Sequence, residues 1–194
     1  DMGPEGLNEF SRYFYPQLDK EGLIIDDRAN GGGNVSPMIL ERLSREPYRL
    51  TMRRGSSLIG TVPDAVQVGP KVCLINKYSA SDGDLFPWGF RALGLGKLIG
   101  TRTWGGIIGI SGPLPYMDGT DIRVPFFTSY DPKTGNWIIE NHGVDPDILI
   151  DNDPIKEWNG EDQQLDRAIE EVMKQLKERK PLAPVPAPRD WSHK

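Results

Sequence analysis

Short apolar runs separated by helix-like segments dominate the first half of the chain. The runs that are typical of buried strands span residues 22–25, 72–75 and 97–100. The segments with helix start and stop signals span residues 6–15, 38–45 and 84–93. Ser36 and Pro37 are predicted to start the second of these helices, as N-cap and first helical residue. Strands that alternate with helices predict an α/β fold with a largely parallel sheet.

The second half of the chain carries a different pattern. Residues 121–129 and 136–140 predict a β-hairpin around the turn 131–135. An amphipathic helix follows, in which apolar residues recur at helical spacing at Leu165, Ala168, Ile169, Val172, Met173 and Leu176. The remainder is rich in proline and is expected to be extended or disordered. We therefore divide the chain into a core over residues 1–180 and a tail over residues 181–194.

The composition is that of an ordinary globular protein, with 37% apolar and 26% charged residues. The net charge of −5 argues against a nucleic-acid surface, which needs clustered lysine and arginine. No apolar stretch approaches the roughly 20 residues that span a bilayer. Cys73 is the single cysteine, so it has no partner for an intramolecular disulfide, and its apolar run predicts a buried small hydrophobe.

The beginning of the chain affects what can be said about its compartment. Residue 1 is Asp1 rather than a methionine, so we treat the chain as part of a longer protein. A missing targeting signal then carries little weight, and the compartment stays open with a preference for the cytoplasm.

Two polar turns follow predicted strands, and their position at the ends of these strands predicts a functional site there. Residues 26–34 contain three consecutive glycines, and residues 76–83 contain Ser81 immediately before a helix. In parallel sheets, sites collect where the strands end. Unpaired amides at a helix start can hold an oxyanion while a serine attacks a carbonyl, and a glycine backbone can approach to supply a second amide. The structural alternatives are that Ser81 or Asp82 only caps the helix, and that the glycines only close a tight loop.

Three sequence segments carry a family resemblance. DRANGGG (27–33), SASDGD (79–84) and IENHGVDPD (139–147), in this order, resemble the C-terminal-processing peptidase family, and most closely its tricorn branch. The resemblance implies a ClpP/crotonase-like fold and a hydrolase that cleaves peptides. It further implies oligopeptide substrates and a homo-oligomeric assembly, with no cofactor and no metal.

The resemblance also implies a role for each matching residue. Ser81 matches the nucleophile, and Glu140 matches an acid that helps to organise the catalytic network. The backbone amides of Asp82 and Gly33 match the two oxyanion donors. A separate hypothesis concerns the rim of the substrate pocket, where a strand edge is expected to pair with an extended peptide. The residues of that expected edge are Gly105, Gly106 and Ile107.

The sequence departs from the family pattern at the general base. The processing-protease branch uses a lysine about 25 residues after the serine, but that position is Gly106, and Lys97 lies on the strand before it. The tricorn branch uses a histidine preceded by a serine, and neither His142 nor His193 matches that element. A serine without a base is a poor nucleophile, so we expect a base upstream of this chain and little activity from the chain alone.

Three alternatives to this interpretation stay open. His142 would share one face of a strand with Glu140 and so would stand beside an acid as a substitute base. A non-catalytic peptide-binding or scaffold module would keep the same fold. An acyl-CoA enzyme of the crotonase type would also use paired amides, although such chemistry needs no serine nucleophile.

Overall fold

The computed structural model describes residues 2–56, 58–111 and 115–187. Helices α1 to α5 span Pro4–Phe14, Ser36–Leu43, Asp82–Ala92, Pro154–Trp158 and Gln163–Glu178. Strands β1 to β8 span Leu23–Asp26, Arg49–Met52, Ile59–Val62, Lys71–Ile75, Gly96–Gly100, Gly109–Ser111, Val124–Phe127 and Ile148–Leu149. Within the described ranges, no helix is long and apolar enough to cross a membrane.

The centre of the fold is a parallel sheet in the strand order β1-β4-β5-β8. All five residues of β4 are buried, because strands lie on both sides of it and helices cover both faces. The predicted α/β fold with a parallel sheet is therefore confirmed. The three strands and the first three helices predicted from the apolar pattern lie within a few residues of their predicted ranges.

Alternate residues of β4 belong to different cores. Cys73 and Ile75 pack with α2 and α3, in a cluster that includes Phe86 and Phe90. Val72 and Leu74 form the second cluster, together with Ala168 and Val172 of α5. This separation follows from the alternation of side chains along a strand. Cys73 is fully buried, as expected for a small hydrophobe.

The predicted hairpin in the second half of the chain is wrong. β7 pairs instead with β6, antiparallel. Of the expected pairing, the bridge between Tyr130 and Trp137 and the hydrogen bond from the N–H of Ile138 to the carbonyl of Ser129 remain. Residues 138–143 bend away from an extended path, because Asn141 has a φ of 61° and the N–H groups of His142 and Gly143 both donate to the carbonyl of Ile139.

Three further differences concern helix starts and short elements. The N-cap of α2 is Val35 and not Ser36, because Ser36 lies inside the helix and its hydroxyl donates to another helix, as described below. The antiparallel pair of β2 and β3 and the short helix α4 have no counterpart in the sequence prediction. In the tail, residues 181–187 form neither helix nor strand, and residues 188–194 lie outside the described ranges.

Candidate active site

Ser81 stands at the start of α3 with a strained backbone. Its φ of 57° and ψ of −118° lie in a region that residues with a side chain rarely occupy, at a cost of about 1–3 kcal/mol. An ordinary N-cap residue has extended backbone angles, so capping alone does not explain this geometry. The side chain is half-buried. The strain and the position at a helix N-terminus make Ser81 the residue on which the site is built.

Asp84 fixes the turn that carries Ser81. Its Oδ2 accepts the N–H of Ser81 at 2.8 Å and the N–H of Gly106 at 3.2 Å, while its Oδ1 accepts the N–H of Gly105 at 2.8 Å. The side chain is fully buried. One carboxylate thus joins the turn that carries Ser81 to the loop that follows β5. Asp84 is not among the site residues predicted from the sequence, although an acid three residues after a helix-capping serine is a recognisable signal for such a contact.

The glycine loop lies directly against Ser81. A Cβ placed on Gly32 would come within 2.6 Å of the Cβ of Ser81, and Gly32 has a φ of +105°. The carbonyl of Gly32 accepts the N–H of Met2 at 3.0 Å. In a trans peptide the N–H points opposite to the preceding C=O, so the N–H of Gly33 points away from Met2. Among the described residues, nothing accepts a hydrogen bond from the N–H of Gly33.

The side chain of Asp82 binds the neighbouring helix. Its Oδ2 accepts the N–H of Ser36 at 2.9 Å, and its Oδ1 accepts the hydroxyl of the same residue. The carboxylate therefore ties the first turn of α3 to the first turn of α2. The backbone N–H of Asp82 belongs to the first turn of α3, where amides have no partner within the helix. Among the described residues, this N–H donates no hydrogen bond.

Glu140 binds backbone amides of the loop after β5. Its Oε2 accepts the N–H of Ile107 at 2.7 Å and the N–H of Ile108 at 2.9 Å. The strand that was expected to place Glu140 and His142 on one face is absent, because the chain turns at Asn141. The expected pairing of these two side chains is therefore wrong. Within the described contacts, the Glu140 carboxylate holds the loop in place and does not touch Ser81.

The loop after β5 differs from its prediction. Gly105, Gly106 and Ile107 form no strand, and the next strand starts at Gly109. The N–H groups of four successive residues, 105–108, are bound by the carboxylates of Asp84 and Glu140, so they are not offered to a peptide as a strand edge would offer them. The side chain of Ile107 is buried, with 3% exposed. The expected strand edge is thus absent at these residues.

His142 lies near the end of α3 that is farther from Ser81. Its ring is 56% exposed, and its Nε2 is 2.7 Å from Oδ2 of Asp145. It lines a hollow with Trp88 and Arg91, in the second half of the helix. Arg91 follows Ser81 by ten residues, which is about 15 Å along a helix. His193 lies outside the described residues, and within them no imidazole contacts Ser81.

Lys97 is also directed away from Ser81. Its Nζ is 2.7 Å from Oε1 of Glu171, which lies on α5 and therefore covers the opposite face of the sheet. The hydrogen bond from Lys97 lowers the pKa of Glu171 from 4.5 to about 2. This pairing stabilises the fold, and it removes Lys97 as a base for Ser81.

The Lys97–Glu171 pair predicts acid-sensitive stability. A carboxylate whose pKa is lowered by folding stabilises above its unfolded pKa of 4.5, and this contribution is lost as the pH falls toward 2. We expect Glu171→Gln to lower the free energy of unfolding by about 1–2 kcal/mol at pH 7, a value discounted for the solvent exposure of Lys97. Urea unfolding at pH 7 and pH 2 measures the free energy of unfolding of both proteins. The difference between the unmodified protein and Glu171→Gln should nearly vanish at pH 2. The exposed neighbour Glu170→Gln is the control, and an equal effect of both variants would contradict the assignment.

A polar hollow of about 490 Å³ lies at the ends of the strands, but it does not include Ser81. Arg28 crosses it and forms ion pairs with Asp26 at 2.7 Å and Asp162 at 2.8 Å. The hydrogen bond from Arg28 lowers the pKa of Asp162 to about 2. These contacts attach the end of β1 to the start of α5. In the part of the chain that the structure describes, no group of three or more His, Cys, Asp or Glu side chains could hold a metal ion.

Comparison with known proteins bears on this geometry. The sequence matches Peptidase family S41 over residues 2–150. It is 42% identical to the Tricorn protease of Thermoplasma volcanium over 180 residues, which is 93% of this chain and 17% of that protein. It is also 42% identical to the Putative Tricorn-like protease C-terminal subunit of Sulfurisphaera tokodaii, covering 92% of this chain and 21% of that protein.

Solved structures agree with the sequence relatives. The crystal structure of the tricorn protease matches with a TM-score of 0.84 and 41% identity, over 91% of this chain and 17% of that chain. The photosystem II D1 C-terminal processing protease shares the fold, with a TM-score of 0.55 and 22% identity over 77% of this chain and 40% of that chain. This chain spans about one sixth of the tricorn proteases that it matches. The motifs, the fold and these matches agree, and the chain belongs to peptidase family S41.

Proposed function

We propose that this chain carries the nucleophile of a serine peptidase, and that Ser81 forms an acyl-enzyme with the peptide it cleaves. The observation that supports this most is the strained backbone of Ser81 at a helix start, packed against Gly32. Backbone strain at Ser81 lowers the stability of the fold, so stability does not explain it. A nucleophile, in contrast, needs a hydroxyl held at a fixed angle beside free amides.

The proposed reaction follows from the groups around Ser81. Its Oγ attacks the peptide carbonyl carbon, and its proton passes to a general base. The N–H groups of Asp82 and Gly33 hold the oxyanion of the tetrahedral intermediate. The intermediate collapses when the C–N bond breaks, and the leaving amine takes the proton from the base. Water then attacks the acyl-enzyme, returns a proton to the Ser81 oxygen through the same base, and releases the new carboxylate.

The general base lies outside the contacts described above. Lys97 and His142 are both engaged elsewhere, with Glu171 and Asp145. We infer that a histidine upstream of Asp1 serves as base, that oligopeptides are the substrates, and that the whole protein is a homo-oligomer. No cofactor is needed for this chemistry. We expect the chain alone to react slowly or not at all.

A fluorophosphonate probe tests this function, because it reacts with an activated serine. The probe is applied to this chain and to the longest natural protein that contains it, each with Ser81→Ala as the matched control. We expect labelling of the longer protein that the substitution abolishes. Labelling of this chain alone would place a base within its residues. The absence of labelling in both would reject the peptidase and favour a peptide-binding module of the same fold.

A further inference from the structure

The side chain of Asn30 connects the glycine loop to a buried acid. Its Oδ1 accepts the N–H of Gly32 at 3.1 Å, and its Nδ2 donates to Oδ1 of Asp27 at 2.7 Å. Asn30 is 94% buried, since only 6% of its surface is exposed. Both ends of the side-chain amide are therefore used. The Asn30 side chain thus holds the N–H of the peptide group before Gly32.

The same segment also holds the nucleophile turn. The carbonyl of Asn30 accepts the N–H of Ala80 at 2.8 Å, and the hydroxyl of Ser79 donates to the carbonyl of Asp27 at 2.8 Å. Gly83 packs so closely that a Cβ there would come within 2.3 Å of the Asn30 carbonyl oxygen. Residues on both sides of Ser81 thus contact the Asp27–Asn30 segment. A shift of Asn30 would move the serine turn and the glycine loop together.

Asp27 is an unusual partner for this amide. Its side chain is 2% exposed, and among the described residues nothing bonds to its Oδ2. Burial raises the pKa of Asp27 well above its ordinary value, and the hydrogen bond from Asn30 offsets only part of this effect. Because both groups are buried, water does not compete for the hydrogen bond between Asn30 and Asp27, and the Asn30 side chain is held in one orientation.

We propose that Asn30 is a positioning residue, which orients the glycine loop so that the N–H of Gly33 faces the oxyanion at Ser81, and that Asp27 holds Asn30 in place. This inference rests on the proposed function. The Asn30 side chain holds the N–H of Gly32, and the N–H of Met2 holds the carbonyl of Gly32. The peptide groups on both sides of Gly32 are therefore held, and together they give the N–H of Gly33 its direction. The side chain acts through the loop and touches neither substrate nor reacting atoms.

The test uses the longest natural protein that contains this chain. Active sites are counted by fluorophosphonate labelling to completion, and kcat per labelled site and KM are measured with a fluorogenic peptide that the unmodified enzyme cleaves. We expect Asn30→Ala to lower kcat per site by about 100-fold, as for the loss of one oxyanion donor, with KM changed by less than about threefold. Asn159→Ala, at an exposed asparagine after α4, is the control and should match the unmodified enzyme.

A second pair of variants keeps the test decisive if Asn30→Ala folds poorly. Asp27→Asn retains a side-chain oxygen that can accept the Asn30 amide, whereas Asp27→Ala removes it. We expect kcat per site within about threefold of the unmodified enzyme for the first variant and about tenfold lower for the second. Equal values would overturn the inference.

The other outcomes separate the inference from the proposed function. If the unmodified enzyme is not labelled at Ser81, the peptidase proposal itself is wrong. If labelling occurs but Asn30→Ala lowers only the number of labelled sites, with kcat per site unchanged, Asn30 is structural and the positioning role is rejected.

Discussion

Replacement of Asp84 by alanine is expected to lower the free energy of unfolding by about 3–5 kcal/mol and to suppress labelling of Ser81. Three buried or partly buried N–H groups, those of Ser81, Gly105 and Gly106, would lose their acceptor together. An N–H left without a partner in the interior costs about 1–3 kcal/mol, and these three donate to one charged acceptor. Urea unfolding measures the loss of stability. The rate of fluorophosphonate labelling in the longer natural protein measures the loss of function.

A matched control for Asp84 exists in another helix. Asp166 is also an acid in a first helical turn, in α5, but it is exposed. Asp166→Ala should change the unfolding free energy by less than about 0.5 kcal/mol and leave labelling unchanged. If Asp84→Ala were as mild as Asp166→Ala, the carboxylate would not be the group that joins the two loops. The contacts around Ser81 would then need another explanation.

The features of the fold and the site that the sequence predicts are those that depend on residues close together in the chain. Short apolar runs predicted the central strands, since burial on both faces requires them. Helix-start chemistry predicted that Ser81 precedes α3. The three consecutive glycines predicted a turn whose backbone can approach a ligand, and that approach stays a prediction. Each of these predictions depends on residues only a few positions apart in the chain.

The parts that sequence did not predict depend on contacts between distant segments. Glu140 binds amides more than 30 residues earlier, and Asp84 binds amides more than 20 residues later. Such hydrogen bonds leave no periodic signal in the sequence. The partner of β7 was predicted incorrectly for a similar reason, because its pairing with β6 joins two segments that no local pattern links. Local pattern predicts that a strand exists more readily than it predicts the partner of that strand.

Gly32→Ala is expected to slow labelling of Ser81 by about 100-fold or more in the longer natural protein. The new Cβ would lie 2.6 Å from the Cβ of Ser81 and 3.0 Å from the carbonyl oxygen of Ala80, so the serine turn must move. A displacement of about 1 Å at a reacting group can cost 10²-fold in rate. The φ of +105° adds about 1–3 kcal/mol of backbone strain for a residue with a side chain.

Gly31→Ala provides the comparison that separates crowding at Ser81 from a general intolerance of the loop. A Cβ on Gly31 meets no atom within 4 Å, so this variant should label at the unmodified rate. Loss of labelling in both variants would mean that the loop must flex as a whole during the reaction. Retained labelling in Gly32→Ala would mean that Ser81 does not depend on close contact with the glycine loop, and the oxyanion role assigned to Gly33 would lose its main structural support. A loss confined to Gly32→Ala would show that the serine and the glycine loop must meet without a side chain between them, as an oxyanion site shared by both requires.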